Sequence, residues 1–184
     1  MRRKYLVYLW LMIFIPLNTA SQTVKSSEYV VKATFLYNFA KFVEWPAHAF
    51  ERPDTPVILC ILGKDIFGDA LKTIENKVIR GRTLLIRHCQ DTNEAKGCHI
   101  LFISPSGDKN LQEILSDIKD TPCLTVSDTE AFAQRGGIIR FFTMGNKIRF
   151  EINPEAAKRS HLKISSRLLK LARIFKEPPE KKGN

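Results

Sequence analysis

Gly63-Lys64-Asp65-Ile66-Phe67-Gly68 carries two glycines at the spacing of a phosphate-binding loop. A working loop continues with Lys-Ser or Lys-Thr, so that an ammonium and a hydroxyl meet the phosphate and its magnesium. Here Asp69-Ala70 follows, and a carboxylate there repels the anion it should hold. The segment reads as a strand-to-helix turn. The four histidines, His48, His88, His99 and His161, fall at no metal-ligand spacing, and no HExxH, CxxC or dinucleotide glycine pattern occurs. Ser104 and Asp128 follow predicted strands, where α/β sites often sit, but no nucleophile elbow accompanies them. They read as helix caps. His88-Cys89 and Cys98-His99 are neighbours in predicted strands and so point to opposite faces. Neither makes a thiol–imidazole pair within its own strand. The sequence shows no catalytic constellation, metal set or cofactor motif, and an enzyme is the least favoured class.

The elements that hold these residues follow from periodicity. Pro56–Gly63, Thr83–Cys89, Cys98–Ser104 and Pro122–Asp128 are short, β-branched and bounded by turn residues, as buried strands are. Helical segments are predicted between them at Ile66–Asn76 and Lys109–Lys119, with a short turn at Thr92–Lys96. Alternating strand and helix predict an α/β fold: one compact domain with a mostly parallel central sheet, strand order 2-1-3-4, flanked by helices. Two runs flanking Gly145-Asn146 predict a C-terminal β-hairpin. The segment from Pro154 to Lys176 predicts two further helices, the second capped by Ser165 or Ser166. Residues 177–184, EPPEKKGN, predict a disordered tail.

The first twenty residues have another purpose. Arg2, Arg3 and Lys4 precede an apolar run from Leu6 to Leu17, and small residues near Ala20 offer a cleavage point. Residues 1–20 thus predict a secretory signal peptide, with the domain at 21–176. The run of about twelve residues is short for a membrane-spanning anchor, the alternative. Formal charge falls from +10 to about +7 as those three cations leave. This balance suits an acidic partner or anionic lipid. It does not favour nucleic acid, because no strand interleaves aromatic with basic residues. Export would place the four cysteines where disulfides form.

Two surfaces could bind a partner. On a wheel of Val31–Glu44, Thr34, Asn38 and Lys41 make a narrow polar stripe, and the apolar arc exceeds the stripe a single sheet contact needs. Phe35, Phe39 and Phe42 share one flank. They predict either a helix wedged between sheet and C-terminal helix or a dimer or partner interface. The second surface is basic: Lys163, Arg167, Lys170 and Arg173 belong to a segment free of acids, with Ile164, Leu168, Leu171 and Phe175 on one helical side. It reads as a solvated face or as a dock for anionic lipid headgroups or an acidic partner.

Several separated blocks coincide in order: KATFLYNFAKFVEWP, CILGKDIFGDAL, VIRGRTLLIRHC, CHILFIS, LTVSDTEAFAQRGGIIRF and IRFEINPEAAKRSHLKISSRLLKLARI. Together, from about Glu28 to Ile174, they resemble the YfiR family of exported bacterial regulators. The resemblance implies a periplasmic α/β domain that tends to dimerise and represses an inner-membrane diguanylate cyclase through its extracytoplasmic domain, so that its release favours biofilm formation. Related domains serve other membrane signalling proteins, so a sensor kinase is a second candidate partner. A small-ligand sensor, with a pocket near Gly63, Ser104 and Asp128, is the competing class. The resemblance further implies a Cys60–Cys98 disulfide, on strands that a 2-1-3-4 order makes neighbours. That order separates Cys89 from Cys123 by two strands, too far for direct bonding. A second, C-terminal family disulfide has no counterpart, since no cysteine follows Cys123.

Overall fold

The computed structural model describes residues 19–178. Residues 1–18 of the expected signal peptide and residues 179–184 of the expected tail lie outside it. Helix α1 (Thr19–Phe42) leads into a short strand β1 (Val43–Glu44). The chain continues through β2 (Val57–Leu62), β3 (Val78–Ile79), β4 (Arg82–Cys89), α2 (Thr92–Ala95), β5 (Ile100–Ile103), α3 (Leu111–Asp117) and β6 (Leu124–Ser127). It ends with β7 (Ile139–Met144), β8 (Lys147–Ile152), α4 (Pro154–Arg159), β9 (Lys163–Ile164), α5 (Ser166–Leu169) and β10 (Arg173–Ile174).

The expectation of a mostly parallel sheet is corrected. The sheet is mixed and eight-stranded, in the order β10-β8-β7-β6-β5-β2-β4-β3, with antiparallel pairs at β7–β8 and β3–β4. The expected C-terminal hairpin is part of this sheet. β7 joins β6 in parallel through Val126–Ile139 and Ser127–Arg140, and the sheet continues through β8 to β10. Inward-facing Ile139 and Phe141 extend the same apolar surface that Leu124 and Val126 begin, so β7 gains burial by pairing. The hairpin closes on Gly145-Asn146, with Gly145 at φ +60°, as glycine at the first turn position allows.

One sheet face packs on α1. Ala33, Leu36, Phe39, Ala40 and Val43 are buried there with Phe102, Val126, Phe141 and Phe150. The other face carries α2 and α3 over a smaller cluster that holds all four cysteines. The C-terminal reading also needs correction. The second helix is one turn, with Ser165 as cap, its Oγ accepting from the Arg167 amide. The chain then leaves helical geometry so that Arg173 and Ile174 pair with Glu151 and Ile152. Leu171 is consequently 71% exposed, not aligned on a helical stripe. At the other end of α1, β1 pairs with β9, so the helix stops at Phe42, short of the expected Glu44. Among the described residues no helix is long and apolar enough to cross a membrane.

Candidate functional site

β6, β7, β8 and β10 align one residue each in a row. Ser127 stands opposite Arg140, Arg140 opposite Glu151, and Glu151 opposite Arg173. Glu151 is 2% exposed and a carboxylate at that depth needs partners. Arg140 Nη1 donates to one oxygen at 3.0 Å, and Arg173 donates to the other through Nε at 2.9 Å and Nη2 at 2.6 Å. Phe142 lies under the Arg173 guanidinium, 4.2 Å from ring centroid to guanidinium carbon, which adds a cation–π contact. The row explains why this segment forms a strand and not a continued helix: β10 delivers Arg173 to a buried acid.

A second ion pair abuts the first. Lys32 of α1 is buried, and its ammonium meets Asp128 at 2.9 Å and Glu28 at 2.7 Å. Burial alone would lower the Lys32 pKa, but hydrogen bonds to Glu28 and Asp128 outweigh it and raise the pKa, so the ammonium stays charged. Lys32, Asp128, Arg140, Phe141, Phe142 and Thr143 line a cavity of about 330 Å³. Of the residues lining it, Asp128 Oδ1 and Arg140 Nε are buried without a hydrogen-bond partner. Such orphaned groups are uncommon and favour a site that accepts a polar ligand. The pattern offers one donor, Arg140 Nε, and one carboxylate acceptor.

The pocket expected near Gly63, Ser104 and Asp128 is divided by the structure. Gly63 lines a separate cavity of about 400 Å³ with Asp91, Thr92, Ser106, Glu113 and Asp117, at the α2–α3 end of the sheet. Ser104 is fully buried beneath it, bonded to Ser106 at 2.8 Å. Gly63 has φ +89°, and a Cβ there would meet Ser104 Oγ at 2.6 Å, so this tight turn requires glycine. Asp128 belongs to the Lys32 site instead and caps no helix of the kind expected.

The remaining candidates sort clearly. Phe39 is fully buried against Phe150 (4.9 Å) and Phe141 (5.6 Å), so it is core and not available to a partner. Phe35 and Phe42 are half-buried. Phe35 lines a groove of about 560 Å³ with Val31, Thr143 and Ile148. Lys163, Arg167 and Lys170 are exposed and remain a basic face. Arg173, though exposed, is drawn into the Glu151 pair. Cys60 and Cys98 form the disulfide, with Cα atoms 5.9 Å apart. Cys89 and Cys123 are free and buried. His99 is buried: its Nδ1 accepts from the Ile58 amide at 3.1 Å and its Nε2 lies 3.0 Å from the Ala49 carbonyl.

Sequence reasoning missed Lys32, Glu151 and Arg140. Two signals for them existed. Lys32 interrupts an otherwise apolar arc, and Glu151 stands between Phe150 and Ile152 in a strand that the hairpin buries.

The family whose model matches this chain is described as YfiR/HmsC-like, and the match spans residues 29–173. Among solved structures, the chain is similar to a conserved domain protein from Vibrio cholerae O1 biovar eltor strain N16961, at 9% identity and a TM-score of 0.55. The alignment covers 80% of this chain and 60% of that one. At this identity the likeness concerns the fold alone. Curated proteins give no match.

Proposed function

Since this chain belongs to the YfiR/HmsC-like family, we propose that it is an exported regulator that represses an inner-membrane diguanylate cyclase by binding the cyclase's extracytoplasmic domain. The family match over residues 29–173 carries this reading. Residues 1–20 would direct export. A repressor works by binding one state of its target more tightly than the other, so it needs a surface and no reacting group. The surface that fits is the rim of α1 beside the β7–β8 hairpin. Val31 is 43% exposed, and half-buried Phe35 lines the groove that α1 forms with Thr143 and Ile148 of the hairpin strands. Phe42 extends the same aromatic flank. A homodimer could use this rim before the partner does. The exposed Lys163, Arg167 and Lys170 would sit well against anionic headgroups.

The test is recovery of the partner. The tagged chain, expressed with its own leader, should co-purify a diguanylate cyclase from detergent-solubilised membranes. Removing the chain should raise intracellular cyclic-di-GMP. Co-purification of a sensor kinase alone would move the proposal to that partner, and recovery of neither would overturn it.

A second reading rests on the Lys32–Arg140 cavity. Its orphaned Arg140 Nε and Asp128 Oδ1 suit a small polar ligand with both an acceptor and a donor. A regulator could use such a ligand as input. Thermal-shift screening of small zwitterions should find a stabiliser whose effect is lost in Asp128→Asn. Stabilisation that survives Asp128→Asn would place the ligand elsewhere.

A further inference from the structure

Four cysteines gather on the sheet face under α2 and α3. The sulfurs of Cys60, Cys89 and Cys98 all lie within 4.8 Å of one another. Two of them form the disulfide. The third, Cys89, is a buried free thiol, 4% exposed. Register explains the approach: Cys60 stands opposite Arg87 and Leu62 opposite Cys89 on adjacent parallel strands, so Cys60 and Cys89 point to the same face. Cys98 reaches them from the turn after α2, where its amide donates to the Ala95 carbonyl at 3.1 Å.

We propose that Cys89 is an exchange partner of this disulfide, and that the chain has a second covalent form in which Cys89 is bonded to Cys98. The Cys89 thiolate attacks Cys98 Sγ. The Cys89–Cys98 bond forms as the Cys60–Cys98 bond breaks, and Cys60 leaves as a thiolate that takes up the proton Cys89 released. No external oxidant or reductant is consumed. Cys98 is the better target than Cys60, because Cys89 is offset from Cys60 by two residues along adjacent strands. At about 3.3 Å per residue that offset puts their backbones beyond ordinary disulfide reach.

Burial holds the Cys89 thiol above its usual pKa, and the nearby Glu94 adds to this. The exchange is therefore slow at neutral pH and speeds up as pH rises. Its consequence is local. The bond now ties β2 to the entry of β5. The alternative would tie the end of β4 to that entry across α2, whose Thr92 lines the 400 Å³ cavity with Leu62 and Asp91. The covalent state would thereby reset the cavity wall, whichever partner the protein has.

Peptide mapping of the purified chain under non-reducing conditions tests this. Cys60→Ser, oxidised with glutathione disulfide, should yield a Cys89–Cys98 peptide as its main crosslink. Cys98 recovered as a glutathione adduct, or bonded to Cys123, would overturn the proposal. Should Cys60→Ser fail to fold, wild type serves. It is held at about pH 9 without reductant, then unfolded and labelled with N-ethylmaleimide. A fraction of Cys60 should carry label in wild type and none in Cys89→Ser. Cys60 unlabelled in wild type overturns the exchange.

Discussion

His99 stacks on Phe50 with ring centroids 4.4 Å apart, and both of its nitrogens are hydrogen-bonded to backbone. Nδ1 accepts from Ile58, so Nε2 carries the proton and donates to Ala49, which is the neutral tautomer. Burial pushes its pKa below the ordinary 6.5, more than the Ala49 hydrogen bond raises it. A base with a depressed folded pKa stabilises the fold above its unfolded pKa and loses that contribution as pH falls. The thermal midpoint should therefore drop as pH decreases from about 6.5 towards the depressed value. His99→Phe should cost about 2 kcal/mol by stranding the Ile58 amide and Ala49 carbonyl, and should flatten that slope. An unchanged slope would assign the pH dependence to other groups. Nothing in the sequence marks His99 as structural, because its partners are backbone groups about 40 and 50 residues away. Lys32 differs: its place in an apolar arc was a visible conflict. The partner that resolves it, Asp128, is set by the parallel crossover that ends β6.

At the scale of elements, α1 answers most of what its own sequence asks. Its broad apolar arc is used inside the chain, with Phe39 on Phe141 and Phe150, and Tyr29 on Phe67 at 5.7 Å. Among the described side chains of α1, the Val30–Val31 and Phe35 margin, extended by half-buried Phe42, is left for a partner. Phe39→Ala should destabilise the domain by about 3–5 kcal/mol, measured by chemical denaturation. Val31→Asp should leave the denaturation midpoint nearly unchanged and abolish binding to the membrane partner. If Val31→Asp binds normally, the rim is not the interface. The strands that alternate with helices were legible because their apolar runs are bounded by turn residues. The joining of β7 to β6 was not, since an amphipathic hairpin reads the same whether it stands apart or extends a sheet. β10 was also hidden. Arg173 looks like one more cation on a basic helix until Glu151, which it neutralises, is known to be buried.

For the molecule as a whole, the sheet order β4-β2-β5-β6 at its centre places Cys60 beside the entry of β5, where Cys98 closes the disulfide. The bridge spans a sequence separation of 38, which on loop entropy alone stabilises the fold by about 3–4 kcal/mol. The family disulfide was legible because two motifs carried it. Cys89 at its side was not, because strand register, not sequence distance, brings the third sulfur near. A folded domain held by a bridge, a core built on α1, and a rim left uncovered is what a binding protein requires. Repression as proposed requires this rim to bind a membrane-bound cyclase. Affinity purification from solubilised membranes, run in parallel with wild type and Val31→Asp, tests it most directly. A diguanylate cyclase should be bound to wild type and absent from Val31→Asp. Recovery of no cyclase with wild type would contradict it.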